Sequence, residues 1–236
     1  MSSPSQKTFV GHCSHKTIVN DVIHNPYTLR ALTGVMVRYC LGCGANGCAF
    51  RAEHSLVLKV SSHVGEAPIA EIIEGHGRVW PFLPIFYGSW IEPGETLGRQ
   101  ESVGITLRED LIDFSPDHPR EYVEIATAFL DSAIKSGSSK GIRSLRRDLT
   151  PELMEMTSSL DAKAIQMIAD FAVWSSHYNL GFDLGEFSGS LSITNLGQSL
   201  DDEAIVIRDL GNFEPEAGAL SRLRRATMQR VRGRRQ

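Results

Sequence analysis

The chain has 236 residues, of which 42% are hydrophobic, and a formal net charge of −4. That length and apolar content suffice for a buried core in one domain or one two-lobed unit. No run of about 18 apolar residues is present to make a membrane-spanning helix, and the opening MSSPSQKTFVGHCSHK lacks the apolar stretch of a secretory signal, so a cytoplasmic location without membrane attachment is expected.

Residues 1–33 show little periodicity and are expected to form an irregular extension with at most one short helix. GVMVRYCLG (34–42) reads as a strand, followed by CAFRA (48–52) and SLVLKV (55–60), which are close enough for a hairpin. GEAPIAEIIEGHG (65–77) has helical spacing, with Ile69, Ile72 and Ile73 on one face and Gly75 and Gly77 at its end. FLPIFYGSWIEP (82–93) and SVGITLRED (102–110) read as two further strands joined by a turn-rich stretch.

After SPDHP (115–119) the pattern becomes helical, over 120–136 and again over 151–180, where Phe171, Trp174 and Tyr178 follow core spacing. SLSIT (190–194) and AIVIRD (204–209) read as a pair of short strands around the loop NLGQSLDDE. The expected class is therefore α+β: a five-stranded antiparallel lobe with one helix over 34–110, then a reduced, mostly helical lobe over 111–213 that carries the short strands, and a basic tail over 214–236.

That tail concentrates charge. SRLRRATMQRVRGRRQ holds seven arginines and no acid, and without them the remaining residues 1–221 carry −11. A basic end on an acidic body suits an acidic partner, nucleic acid, or the body itself, and equally a merely solvated helix. RRAT (224–227) also resembles the sites that basophilic kinases modify, which would make Thr227 a phosphorylation or pseudosubstrate position.

LGCGANGCAF (41–50) compresses three glycines and two cysteines into ten positions. Gly42, Gly44 and Gly47 form a GxGxxG turn with strands on both sides, so the glycines do not open a helix as they do in a dinucleotide fold. Such a turn makes a flap whose backbone N–H groups approach phosphate oxygens, with Phe50 closing its tip. Alone, the pattern also describes an ordinary glycine-rich hairpin.

Lys59 lies within the apolar strand LVLKV and needs a partner for its ammonium, which Glu71 or Glu74 of the next helix would supply. Asp209 ends the apolar strand IVIRD two residues before Gly211, a suitable place to hold Mg²⁺. Cys40, Cys43 and Cys48 with His54 offer zinc ligands, but a second pair at ribbon spacing is missing, and the strand pattern makes the cysteines small apolar residues. Four cysteines bunched near one end form a poor disulfide framework.

Taken together, LGCGANGCAF, LVLKV, the helix with Glu71, LRED and RDLG, in that order over about residues 34–213, resemble the protein-kinase-like superfamily. The chain is most similar to the small kinases encoded by bacteriophages, with short bacterial effector kinases comparable. The resemblance implies a serine/threonine kinase that uses ATP and Mg²⁺, acts on a protein substrate such as a host protein, and works in the host cytoplasm. Gly42, Gly44 and Gly47 would cover the phosphates. Lys59 would bind the α- and β-phosphates and pair with Glu71, and the hinge Leu107–Asp110, Glu109 included, would face adenine.

No HRD triplet is present. One alignment puts Asp183 at the catalytic aspartate and Ser188 at the metal-binding asparagine. The other puts Asn195 at the metal position and leaves Ser190 where the base belongs. Strand pattern favours the first; the second implies a nucleotide-binding pseudokinase. A small-molecule phosphotransferase of related architecture is a further alternative.

Overall fold

The computed structural model describes residues 26–44, 47–61, 64–96, 99–114, 159–180, 196–208, 210 and 215–234. The chain divides into two compact units: Met1–Gly77 with Ile85–Asp110, and Arg78–Pro84 with Leu111–Gln236. The class is α+β.

The first unit is built on an antiparallel sheet of β1 (Val37–Gly44), β2 (Gly47–Ala52), β3 (Leu56–Ser61), β4 (Phe86–Thr96) and β5 (Arg99–Glu109). Its order is β1-β2-β3-β5-β4. All the pairings are antiparallel. Residues alternate between the two faces of each strand. Cys48, Phe50 and Ala52 of β2 join Leu58, Val60, Val103, Ile105 and Leu107 in one apolar cluster, completed by Leu29 of helix α1 (Pro26–Thr33). Phe50 and Leu29 are fully buried, which is worth about 1.5–3 kcal/mol for each side chain. Within the expected extension, α1 is therefore a structural element that covers one face of the sheet.

Helix α2 (Ala67–Ile73) packs against β4 and β5. Ala67, Ile69, Ala70, Ile72 and Ile73 are buried. The helix stops where Gly75 and Gly77 take φ values of 73° and 62°, a region open to glycine at little cost. The stretch 93–100, expected to be a turn, continues the ladder: Pro93 pairs with Ser102 and Thr96 with Arg99. β4 begins at Phe86, later than the sequence pattern suggested, because residues 78–84 belong to the second unit.

The second unit contains a three-stranded antiparallel sheet, ordered β6 (Leu111–Asp113), β7 (Leu196–Ser199) and β8 (Ile205–Ile207). Two helices accompany it: α3 (Ser159–Tyr178) and α4 (Ala219–Gly233). Its core is aromatic. The Trp174 ring lies 5.1 Å from Phe82, 5.7 Å from Trp80 and 5.8 Å from Phe171, all within the range for favourable ring pairs. Phe82 also accepts a backbone hydrogen bond from Ile207 (3.0 Å), so the 78–84 segment is tied to β8.

One sequence expectation needs correction here. The strand that pairs with β8 is Leu196–Ser199, which falls in the stretch read as the loop NLGQSLDDE; Leu196 and Ser199 are buried there. SLSIT (190–194) and the expected helix over 120–136 lie outside the described residues. No described helix is long and apolar enough to cross a membrane.

Candidate functional site

The face of the first sheet opposite α1 carries the polar chemistry. Directly opposed residues in an antiparallel ladder share a face. The register runs Gly42↔Ala49, Ala49↔Lys59, Lys59↔Thr106 and Thr106↔Ser89, which sets these residues in one row. Two residues along, Arg51 pairs with Val57 and Val57 with Arg108, adding cationic side chains to the same face.

At the centre of the row, Lys59 Nζ lies 3.5 Å from Glu66 Oε2. Thr106 Oγ1 donates to the other oxygen, Glu66 Oε1, at 2.9 Å. Glu66 is 3% exposed and Thr106 2% exposed, so this carboxylate is held in the interior by one cation and one hydroxyl. Both of its oxygens are therefore engaged, as burial of a charge requires.

The carboxylate that meets Lys59 is Glu66. The helical pattern predicts Glu71, or second Glu74. Glu71 lies on the exposed side of α2, and Glu74 accepts a hydrogen bond from Ser89 Oγ at 2.8 Å. The reason is local: Pro68 sits in the first turn, so the helix starts at Ala67 and Glu66 occupies its N-terminal flank, facing the strands. A lysine in an apolar strand followed seven residues later by a glutamate next to a helix-starting proline was the available signal.

Towards the end of β5, the Arg51 guanidinium donates to the Asp110 carboxylate. That hydrogen bond, helped by the Tyr39 hydroxyl, holds the Arg51 pKa above the ordinary arginine value in spite of partial burial. Glu109 is buried. Its Oε1 accepts from Ile85 N at 2.8 Å, and its own N–H donates to Ile85 O at 3.0 Å. Within Leu107–Asp110, the backbone donor of Glu109 is therefore committed to Ile85.

The two glycines whose surroundings are resolved differ. A Cβ on Gly47 would come within 2.1 Å of the Val60 carbonyl oxygen, so the fold itself requires glycine there to let β2 and β3 approach. A Cβ on Gly42 would meet nothing within 4 Å. Gly42 thus leaves open space above the row that leads to Lys59, while Gly44 pairs with Gly47 at the hairpin end. Phe50, expected to close the flap, is instead a core residue. Alternation along β2 turns it towards α1, away from Ala49 and Arg51.

The cysteines also behave differently from expectation. Cys43 and Cys48 oppose each other in the β1–β2 ladder and are joined by a disulfide that staples the hairpin. Cys40 Sγ lies 3.8 Å from Cys43 Sγ. Among the described residues, no cluster of three or more His, Cys, Asp or Glu side chains is arranged to hold a metal ion. Asp183, Ser188, Asn195 and Asp209, the expected base and metal ligands, lie outside the described residues.

In the second unit, Thr227 is fully buried and accepts a hydrogen bond from Trp80 Nε1 at 3.2 Å. RRAT is therefore not an accessible modification sequence in the folded chain. Thr227 belongs to the inward side of α4 together with Ala219 and Leu223. The chain matches no protein-family model, and no curated protein matches it in sequence.

Proposed function

We propose that the chain is a minimal protein-kinase-like phosphotransferase that uses ATP and Mg²⁺ to phosphorylate serine or threonine hydroxyls of a protein. The observation that carries this reading is the Lys59–Glu66–Thr106 group on a sheet face whose neighbouring position, Gly42, leaves room for backbone approach. An ammonium held by a buried carboxylate is fixed in direction, as a clamp for phosphate oxygens must be. Bound ATP would supply the transferable phosphoryl group. Lys59 would hold its α- and β-phosphate oxygens, Glu66 would orient Lys59, and Asp209 with Asn195 or Ser188 would hold Mg²⁺.

Lys59→Met tests the clamp. ATP affinity, measured by calorimetry, should fall, and phosphoryl transfer to a mixed protein substrate should drop on the order of a hundredfold, as for a lost electrostatic contact in a preorganised site. Equal affinity and equal transfer would remove Lys59 from any nucleotide site. Asp209→Asn should abolish the Mg²⁺-dependent part of the thermal stabilisation by ATP.

One observation favours a second reading, that of a nucleotide-binding pseudokinase. The partner of β8 begins at Leu196, directly after Asn195. This removes the strand-pattern argument for Asp183 and favours the alignment that puts Asn195 at the metal position and Ser190 at the base position. Radiolabelled ATP separates the two readings. Transfer that disappears in Asp183→Ala supports the kinase, whereas ATP binding with no transfer in the native chain supports the pseudokinase.

A further inference from the structure

Helix α4 is an arginine array with a defined inside and outside. Ala219, Leu223 and Thr227 recur every four residues and are buried, so the apolar side of the helix is already spent within its own unit. Arginines of the helix help to fasten it. Arg222 donates to the Tyr178 carbonyl at 3.2 Å, Arg234 donates to the Arg78 carbonyl at 3.0 Å, and the Arg230 guanidinium lies 4.8 Å above the Trp80 ring. Arg224, Arg225 and Arg232 are exposed on the outward side, and no Asp or Glu occurs between residues 217 and 236.

We propose that the outward side of α4 binds the phosphate backbone of nucleic acid without reading its sequence. Three features select this partner. Guanidinium forks match phosphate oxygens in pairs, and a helix pinned at Arg222, Arg230 and Arg234 presents them in a fixed row at little entropic cost. Protein interfaces draw on apolar and aromatic anchors at their centre, whereas none of the exposed large hydrophobic side chains of the described chain lies on α4. A membrane surface would need a free apolar helix face, and here that face is covered.

Residues 1–221 carry a net charge of −11, so the contact is expected at this helix. The expected footprint is therefore small: about three phosphates for Arg224, Arg225 and Arg232, each lowering the slope of log K against log salt by about 0.9 on duplex DNA.

The test uses the full chain and a fluorescein-labelled 20-base-pair duplex, with binding read by fluorescence anisotropy between 50 and 200 mM NaCl. Three phosphate contacts predict about a 40-fold loss of affinity across that range. The triple variant Arg224→Gln, Arg225→Gln, Arg232→Gln should bind at least tenfold more weakly at 50 mM and lose most of the salt dependence. The corresponding triple lysine variant should keep the slope, because each point charge remains. If circular dichroism shows the triple glutamine chain to be unfolded, the single variants Arg225→Gln and Arg232→Gln carry the test, each reducing the slope by about 0.9.

Unchanged duplex binding in the folded variants would overturn the proposal, as would an absence of binding to the duplex. Preference for polyglutamate would overturn it in favour of an acidic protein partner, and preference for phosphatidylserine vesicles in favour of a lipid surface. Lys59→Met should leave duplex binding intact, which separates the helix surface from the nucleotide site.

Discussion

Replacing Glu66 by Gln keeps the side-chain shape and an acceptor for the Thr106 hydroxyl but removes the charge that faces Lys59. At the observed 3.5 Å and an effective dielectric constant of about 20, the Lys59–Glu66 attraction is roughly 5 kcal/mol before desolvation is subtracted. Withdrawing a 3% exposed carboxylate and a 16% exposed ammonium from water cancels most of that gain. The net coupling expected from a double-mutant cycle is about 1–3 kcal/mol.

The order of the single variants follows from burial. Lys59→Met leaves the more deeply buried Glu66 carboxylate with the neutral Thr106 donor, so it should destabilise more than Glu66→Gln. The double variant should then be more stable than Lys59→Met alone. Urea unfolding at pH 7, followed by tryptophan fluorescence and far-ultraviolet circular dichroism, measures all four chains. Glu71→Gln, on the exposed side of α2, is the control and should change stability by less than about 0.5 kcal/mol. A coupling energy below about 0.3 kcal/mol, or a larger effect from Glu71 than from Glu66, would refute the assignment of Glu66 as the partner.

Thr227→Val should cost about 1–3 kcal/mol by leaving the Trp80 indole N–H buried without its acceptor, and a phosphospecific assay on folded protein should find Thr227 unmodified. Gly47→Ala should destabilise by about 1–3 kcal/mol because its Cβ meets the Val60 carbonyl, whereas Gly42→Ala should leave the melting temperature unchanged and reveal any ligand approach as a loss of ATP affinity alone.

Asp202 gives a pH test. Burial raises its pKa, but hydrogen bonds from Arg78 and from the Ala204 N–H more than offset this and hold it below the ordinary carboxylate value. Its contribution to stability is therefore present above about pH 3.9, the unfolded value, and is lost as pH falls through the lower folded value. The stability gap between native chain and Asp202→Asn should shrink from pH 7 towards pH 3 in urea titrations; a gap that widens in acid would contradict the pairing.

The first three strands of the first unit were legible because they are short, β-rich and punctuated by glycine. Expected spans 34–42, 48–52 and 55–60 correspond to β1, β2 and β3, and the isoleucine spacing of 65–77 to α2. The aromatic side of α3 was legible for the same reason: Phe171 and Trp174 recur at helical spacing and are buried.

What escaped was of another kind. FLPIFY is apolar throughout, so its pattern could not reveal that residues up to Pro84 serve a different core from the one Phe86 serves. LGQS contains glycine and polar residues and reads as a loop, yet between β6 and β8 it needs only its backbone to complete a ladder. Glu66 was missed because a carboxylate partner was sought inside the helix rather than at its flank. Phe50 was misplaced because motif spacing outweighed strand alternation.

The route of the chain through its two units has a consequence for modularity. The sequence leaves the first unit after Gly77, returns at Ile85 and leaves again after Asp110. No single cut therefore yields two complete pieces. A fragment ending at Asp110 would carry Trp80 and Phe82 without Trp174, Phe171 and Tyr178, and a fragment beginning at Leu111 would lack the rings that fill its own core. Gene fusion or domain exchange could not transplant either unit as a continuous stretch of sequence, and the two must be inherited together.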